Sequence, residues 1–293
     1  MQKSQQLLLV QQYSSINTVE YKQPLVAIIL RTVITILIFV LLSGSLSAQP
    51  SDIDTLYKNV NKAQKERLEN KFSESRDSIF TKFDAAIKDL FNHQEICNEF
   101  PDRANNYFLI NGLSNEKQGK TLAYAFMNNI VISSSDDAML KIYSWDNLGG
   151  GTQHSYTNYI LFKDKNESCK VLPFDTSENS DEVGYYYIKK LNHPKKNLYL
   201  VFGYGTYGGG KQHYVVRILE LNESGLAECL ECYPEQKILK IGSNRSQNID
   251  LNFDTHKQSV SFKQFRFDDE VGFFSKDYEH VLLKIINGKL IKE

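Results

Sequence analysis

The sequence predicts an α+β protein that is mainly antiparallel β, with an N-terminal amphipathic helix followed by repeated β-meanders. A sandwich is the first choice of architecture and a propeller-like arrangement the second. Three observations predict it. Apolar residues recur at helical spacing only between Asp52 and about His93. After Pro101 the chain becomes short β-branched and aromatic runs punctuated by Gly, Asn and Asp. Residues 140–162 recur without gaps at 199–221.

Composition agrees. Lys and Arg number 34 against 35 Asp and Glu in 293 residues, so no basic surface for nucleic acid is indicated. Aromatic content, 17 Tyr and 17 Phe against one Trp, suits pleated sheet surfaces.

The first element is an export segment. Leu25 to Leu42 reads LVAIILRTVITILIFVLL, and Arg31 divides a short apolar stretch from an unbroken run of eleven residues, Thr32 to Leu42. Lys3, Lys22 and Arg31 precede that run with only Glu20 opposing them, and the small residues SGSLSA, Ser43 to Ala48, follow it. Basic, apolar, small is the order of a secretory signal, and cleavage is expected after Ala48. The protein is then exported: periplasmic, cell-surface or secreted. A long leading segment and the bulk of Leu46 keep an uncleaved single-pass anchor as the alternative, with Arg31 inside the span or snorkelling out of it. No Cys near the end of the run supports lipid anchoring, and membrane contact is expected only through this segment. The chain thus divides into residues 1–48 (signal peptide or membrane anchor), 49–100 (helical) and 101–293 (β-rich, about three meander units).

In the helical segment the stripe runs Ile53, Leu56, Val60, then Leu68, Phe72, then Ile79, Phe83, Ile87, Leu90. Ser51 and Asp52 offer capping oxygens, and one long helix or two breaking near Ser73 to Ser75 both fit. The stripe drifts between Val60 and Leu68, so no heptad is sustained. The β-rich part is expected to hold strands near residues 130–133, 140–145, 156–162, 185–189, 198–204, 214–221, 260–267 and 281–286, with no helix between them, which excludes parallel βαβ units.

The repeat aligns LKIYSWDNLGGGTQHSYTNYILF, from Leu140, on YLVFGYGTYGGGKQHYVVRILEL, from Tyr199. Gly149 to Gly151 and His154 match Gly208 to Gly210 and His213. A weaker third copy starts at Ser259 and carries His280 at the corresponding place. Ser133 to Asp146, SSSDDAMLKIYSWD, resembles a single WD-type propeller blade, although a ring typically takes at least four blades. Together SSSDD, YSWD and GGGTQH resemble an uncharacterised family of exported bacterial β-rich proteins, which implies a location and no activity.

Several motifs fail on context. GYGTYG, Gly203 to Gly208, has the dinucleotide spacing, and GTYGGGK, Gly205 to Lys211, has most of a P-loop. Both need a following helix N-terminus, whereas YVVRILEL reads as strand. No nucleotide and no cofactor is expected. The pairs Asp136–Asp137 and Asp268–Asp269 read as turn residues. CLEC at Cys229 and Cys232 is a candidate disulfide; with Cys97 and Cys169 three connectivities are open, and no second CxxC completes a metal site. The GGGxQH loops are the place to look for ligand binding, by Trp145, Asp146, His154, Tyr204 and His213 on one rim. No catalytic residue and no metal ligand is assigned. The expectation is a non-enzymatic module for a protein or glycan partner, with an extracytoplasmic hydrolase or metal-dependent enzyme on the same loops as the alternative.

Overall fold

A computed structural model describes residues 52–98, 108–110, 120–149, 151–164, 166–174, 182–234 and 238–292. The expected signal or anchor, 1–48, lies outside them. Among the described residues no helix is long and apolar enough to cross a membrane.

The helical segment forms α1, Ile53–Glu69, and α2, Arg76–Phe91. The Asp52 carboxylate accepts the Asp54 backbone N–H at 3.4 Å, satisfying one free donor of the first turn. Asn70 and Ser73 turn the chain where the serines cluster. Ile53, Leu56 and Val60 of α1 and Phe83, Ile87 and Leu90 of α2 are buried as their spacing requires. Between them the stripe departs from expectation. Phe72 is 89% exposed, and the buried face of α1 continues instead through Gln64 and Arg67.

The rest is three open, predominantly antiparallel sheets, the arrangement of a layered sandwich and not of a ring of blades. Sheet 1 is β1 (Leu109–Ile110), β2 (Val131–Ser134), β3 (Leu140–Asp146), β4 (Tyr156–Lys163) and β5 (Cys169–Pro173), in that order. Sheet 2 runs β10 (Leu239–Asn244), β8 (Lys211–Asn222), β7 (Asn197–Tyr207), β6 (Gly184–Lys190), with β9 (Gly225–Glu228) also on β8. Sheet 3 is β11 (Asn252–Asp254), β12 (Ser259–Asp268), β13 (Phe273–Ile286) and β14 (Lys289–Lys292). Helix α3, Lys120–Asn128, precedes the first expected strand, so among the described residues no α-helix separates the expected strands; the exclusion of parallel βαβ units is corrected, because β1 and β2 pair in parallel across α3. Its apolar face, Leu122, Ala125 and Phe126, joins the core of sheets 2 and 3.

Strand alternation orders the layers. Tyr143, Trp145 and Leu161 of sheet 1 face the helix pair. Leu140, Ile142, Ile160 and Phe162, on the other face, meet Tyr185, Val201 and Val215 of sheet 2. Phe202, Tyr204 and Tyr214 leave the far face of sheet 2 toward Val260, Phe262 and Leu283 of sheet 3. Buried polar groups join sheets 1 and 2: Ser144 donates to Asn158 Oδ1 at 2.6 Å and accepts the Tyr185 N–H at 3.0 Å, Asn158 donates to the Val183 carbonyl at 2.9 Å, and Ser133 donates to the Tyr185 carbonyl at 3.2 Å.

All four cysteines are paired, Cys97 with Cys169 and Cys229 with Cys232. The first bridge ties the turn after α2 to β5. Buried Lys141 of β3 holds the same turn by donating to the carbonyls of Ile96, 3.2 Å, and Cys97, 3.4 Å.

Candidate functional site

The two aligned segments are the hairpins β3–β4 and β7–β8. The second closes through Gly208 to Gly210, with φ of 72° and 79° at Gly209 and Gly210, a backbone that glycine adopts at low cost. Strand β8 follows directly, so no helix N-terminus is available for phosphate. The loop of the first hairpin lies beside this turn. Arg245 donates to the Thr152 carbonyl and, at 3.1 Å, to that of Tyr207, and Gln153 donates to Glu182 Oε2 at 2.8 Å.

Within this arrangement Asp146 and His154 form a close pair. Asp146 is 0% exposed, and its Oδ2 accepts the His154 Nδ1 proton at 2.6 Å while Oδ1 accepts the Leu148 N–H at 2.6 Å. The Asp146 carbonyl accepts a hydrogen bond from Arg67 of α1, and the His154 N–H donates to Thr206 Oγ1 at 3.1 Å. Among the described residues no hydroxyl or thiol is hydrogen-bonded to the other ring nitrogen of His154.

The second hairpin solves the same position differently. Gly205 aligns with Asp146, and the His213 ring occupies the space beside it: a Cβ on Gly205 would lie 2.4 Å from His213 Cε1. His213, 2% exposed, stacks on Tyr207 with ring centroids 4.2 Å apart. Gly205 pairs with His213 and Thr206 with Gln212, so His213 and Thr206 leave opposite faces of the sheet. His154 reaches the strand at Thr206 and His213 packs on the other face.

Of the five expected ligand residues only Asp146 and His154 meet, and the five do not share one rim. Trp145 faces the helices, stacked on Tyr159 at 5.8 Å and met edge-on by Phe83 at 5.6 Å. Asp146 points away from it, as alternation demands. Tyr204 is buried between sheets 2 and 3, donating to Gln212 Oε1 at 3.3 Å, and burial pushes its phenol up to about 12. Burial also raises Tyr156, which bonds to Thr206. Only His154 retains exposure, 14% of its side chain.

The concave site lies on the helix side of Trp145. A groove of about 790 Å³ runs between α2 and sheet 1. Arg76, Phe80, Asp84 and Lys88 line it from α2 at four-residue intervals, Phe91 and Asn92 close one end, and Asn147, Thr157 and Tyr159 with Trp145 form its floor. Arg67 enters from α1. Its guanidinium sits 4.4 Å from the Phe83 centroid and 5.1 Å from that of Phe80, and Arg76 lies 4.9 Å from the Phe80 centroid. Burial pulls Arg67 down to about 10, against the opposing charges of Asp146 and Asp84, while Asp84 is raised by its own burial. The helical stripe carried the signal for this site, since its drift between Val60 and Leu68 is where Arg67 turns inward.

Glu220, Cys229 and Glu231 lie close enough together to resemble a metal site. They do not form one. The Cys229 sulfur is bonded to Cys232, and Lys196 Nζ lies 2.9 Å from both carboxylates, supplying the positive charge itself. The two acid pairs serve turns: Asp137 Oδ1 accepts from Ser135 Oγ and the Met139 N–H, and Asp268 Oδ1 from the N–H groups of Glu270 and Val271. Comparison with protein-family models, curated proteins and solved structures finds no match.

Proposed function

We propose that the protein is an exported, non-enzymatic binding module that seats a glycan in the groove between α2 and sheet 1. The groove itself carries this reading. Its volume suits a small ligand, the aromatic surface of Phe91 and Tyr159 suits the apolar faces of sugar rings, and Asn92, Asn147 and Thr157 offer amide and hydroxyl partners for sugar hydroxyls. Asp84 is the one carboxylate among the lining residues, and no Ser, Cys or His stands there as nucleophile or base. The Asp146–His154 pair, which a hydrolase would use, points to the other side of β3. Two disulfides support work in an oxidising compartment.

The only tryptophan of the chain, Trp145, forms part of the floor and reports on it. Titrating the full chain with oligosaccharides should change Trp145 emission saturably, and Tyr159→Ala should weaken binding roughly two- to tenfold, in line with an aromatic contact of about 0.5–1.5 kcal/mol. Saturable binding unaffected by Tyr159→Ala and Phe91→Ala would place the ligand elsewhere. No binding across neutral and acidic saccharides would end the glycan reading.

A further inference from the structure

We infer, resting on the groove reading above, that the ligand carries an anionic group that Arg67 and Arg76 bind together. Arg67 is 2% exposed, yet its one hydrogen bond is to a backbone carbonyl, that of Asp146, and its Nε has no partner among the described residues. A guanidinium holds five donors in a planar fork suited to a bidentate anion, and leaving it buried without one is costly. The nearby carboxylates do not supply the partner. Both Asp146 oxygens are taken by His154 and Leu148, and among the described residues Asp84 makes no ion pair with either arginine, acting on Arg67 through its field.

Like charge is concentrated there instead of dispersed. Phe80 holds both guanidiniums against its ring, although Arg76 disfavours the charge on Arg67. Arg67, Arg76 and Lys88 against Asp84 leave an excess of two positive charges along the groove, in a chain whose formal net charge is −1. The aromatic floor beside them selects an anion attached to a flat or ring-shaped body. An acidic saccharide bearing a carboxylate or a sulfate has both parts.

The test compares neutral, carboxylated and sulfated oligosaccharides of one length by Trp145 emission with the full chain. At least one acidic series should bind about tenfold or more tightly than the neutral one, with the advantage shrinking as salt rises. The better acidic series identifies the anion. Arg76→Ala should collapse the acidic-to-neutral ratio toward one, and Lys189→Ala, a surface lysine paired with Asp136, should leave that ratio unchanged. Arg67→Lys, which keeps the charge but loses the fork, should also reduce it. Equal affinity for neutral and acidic saccharides, or an acidic advantage that survives Arg76→Ala, overturns this inference while the glycan reading stands. Binding of inorganic sulfate lost in Arg76→Ala, with no saccharide bound, keeps the anion site and removes the glycan reading.

Discussion

Replacing Cys97 and Cys169 together with Ala should destabilise the protein far more than replacing Cys229 and Cys232. Both bridges restrict the unfolded chain, but by very different amounts. The first joins residues 72 apart in sequence and the second residues 3 apart. Loop-closure entropy then assigns about 4.4 kcal/mol to the long bridge and about 1.7 kcal/mol to the short one. With a urea m-value of about 2–3 kcal/mol/M, the double variant at 97 and 169 should lose roughly 1.5–2 M in its unfolding midpoint. The variant at 229 and 232 should lose less than half of that. Equilibrium urea unfolding of both variants, followed by circular dichroism, measures the difference. Because the long bridge also holds the turn after α2 against β5, its loss should weaken binding in the groove as well. Equal midpoints for the two variants, or a larger loss at 229 and 232, would refute the reasoning.

Further expectations rest on single contacts. Gly205→Ala must drive its Cβ into His213 Cε1 at 2.4 Å and the Glu182 carbonyl at 2.6 Å, and should cost about 1–3 kcal/mol or more in urea unfolding; adding His213→Ala should recover part of it. An unchanged midpoint for Gly205→Ala would show that the ring can move aside. Asp146→Ala leaves the His154 Nδ1–H and the Leu148 N–H without their acceptor and should cost about 3–5 kcal/mol by the same measurement, whereas Lys189→Ala should stay within about 0.5 kcal/mol. Alkali should unfold the protein. Tyr204, near 12, and the raised Tyr156, Tyr186, Tyr199 and Tyr233 hold their protons longer folded than unfolded, so stability present below about pH 10 falls as pH rises, by about 1.4 kcal/mol per pH unit for each phenol. Arg67, whose folded value burial lowers, has a slope of the opposite sign. Phenol absorbance should therefore rise in step with loss of circular dichroism; ionisation of every tyrosine near pH 10 with the fold intact would contradict this.

Much of the sheet structure was legible because half-buried strands alternate. Leu140 to Trp145, Tyr156 to Phe162 and Leu198 to Tyr204 were read within a few residues of the observed β3, β4 and β7. The break between the helices showed in the serines near Ser73. Helix α3 was missed because KTLAYAFMN spans little more than two turns, too few for a helical period to stand out among Thr, Tyr and Phe. The groove was harder to see. Its charged wall comes from α1 and α2 and its floor from β3 and β4, some eighty residues later in the chain, and Arg67 occupies a place where periodicity asks for an apolar residue. The dispersal of the five loop candidates was partly readable: Trp145 and Asp146 are consecutive in one strand, and alternation alone sends them to opposite faces.

The serine and asparagine side chains between sheets 1 and 2 have a consequence for how the molecule behaves among its own copies. Strand β6 is the outer strand of sheet 2, where a second chain could add by pairing with open backbone groups. Ser133 and Ser144 engage the Tyr185 carbonyl and N–H, and Asn158 engages the Val183 carbonyl just ahead of the strand. At Tyr185 and Val183 this border is covered from within by hydroxyl and amide groups of the neighbouring layer. Sliding β6 by one residue would break all three contacts at once and turn Tyr185 out of the core, so the same groups that deny the border to a stranger also keep its own strand in register.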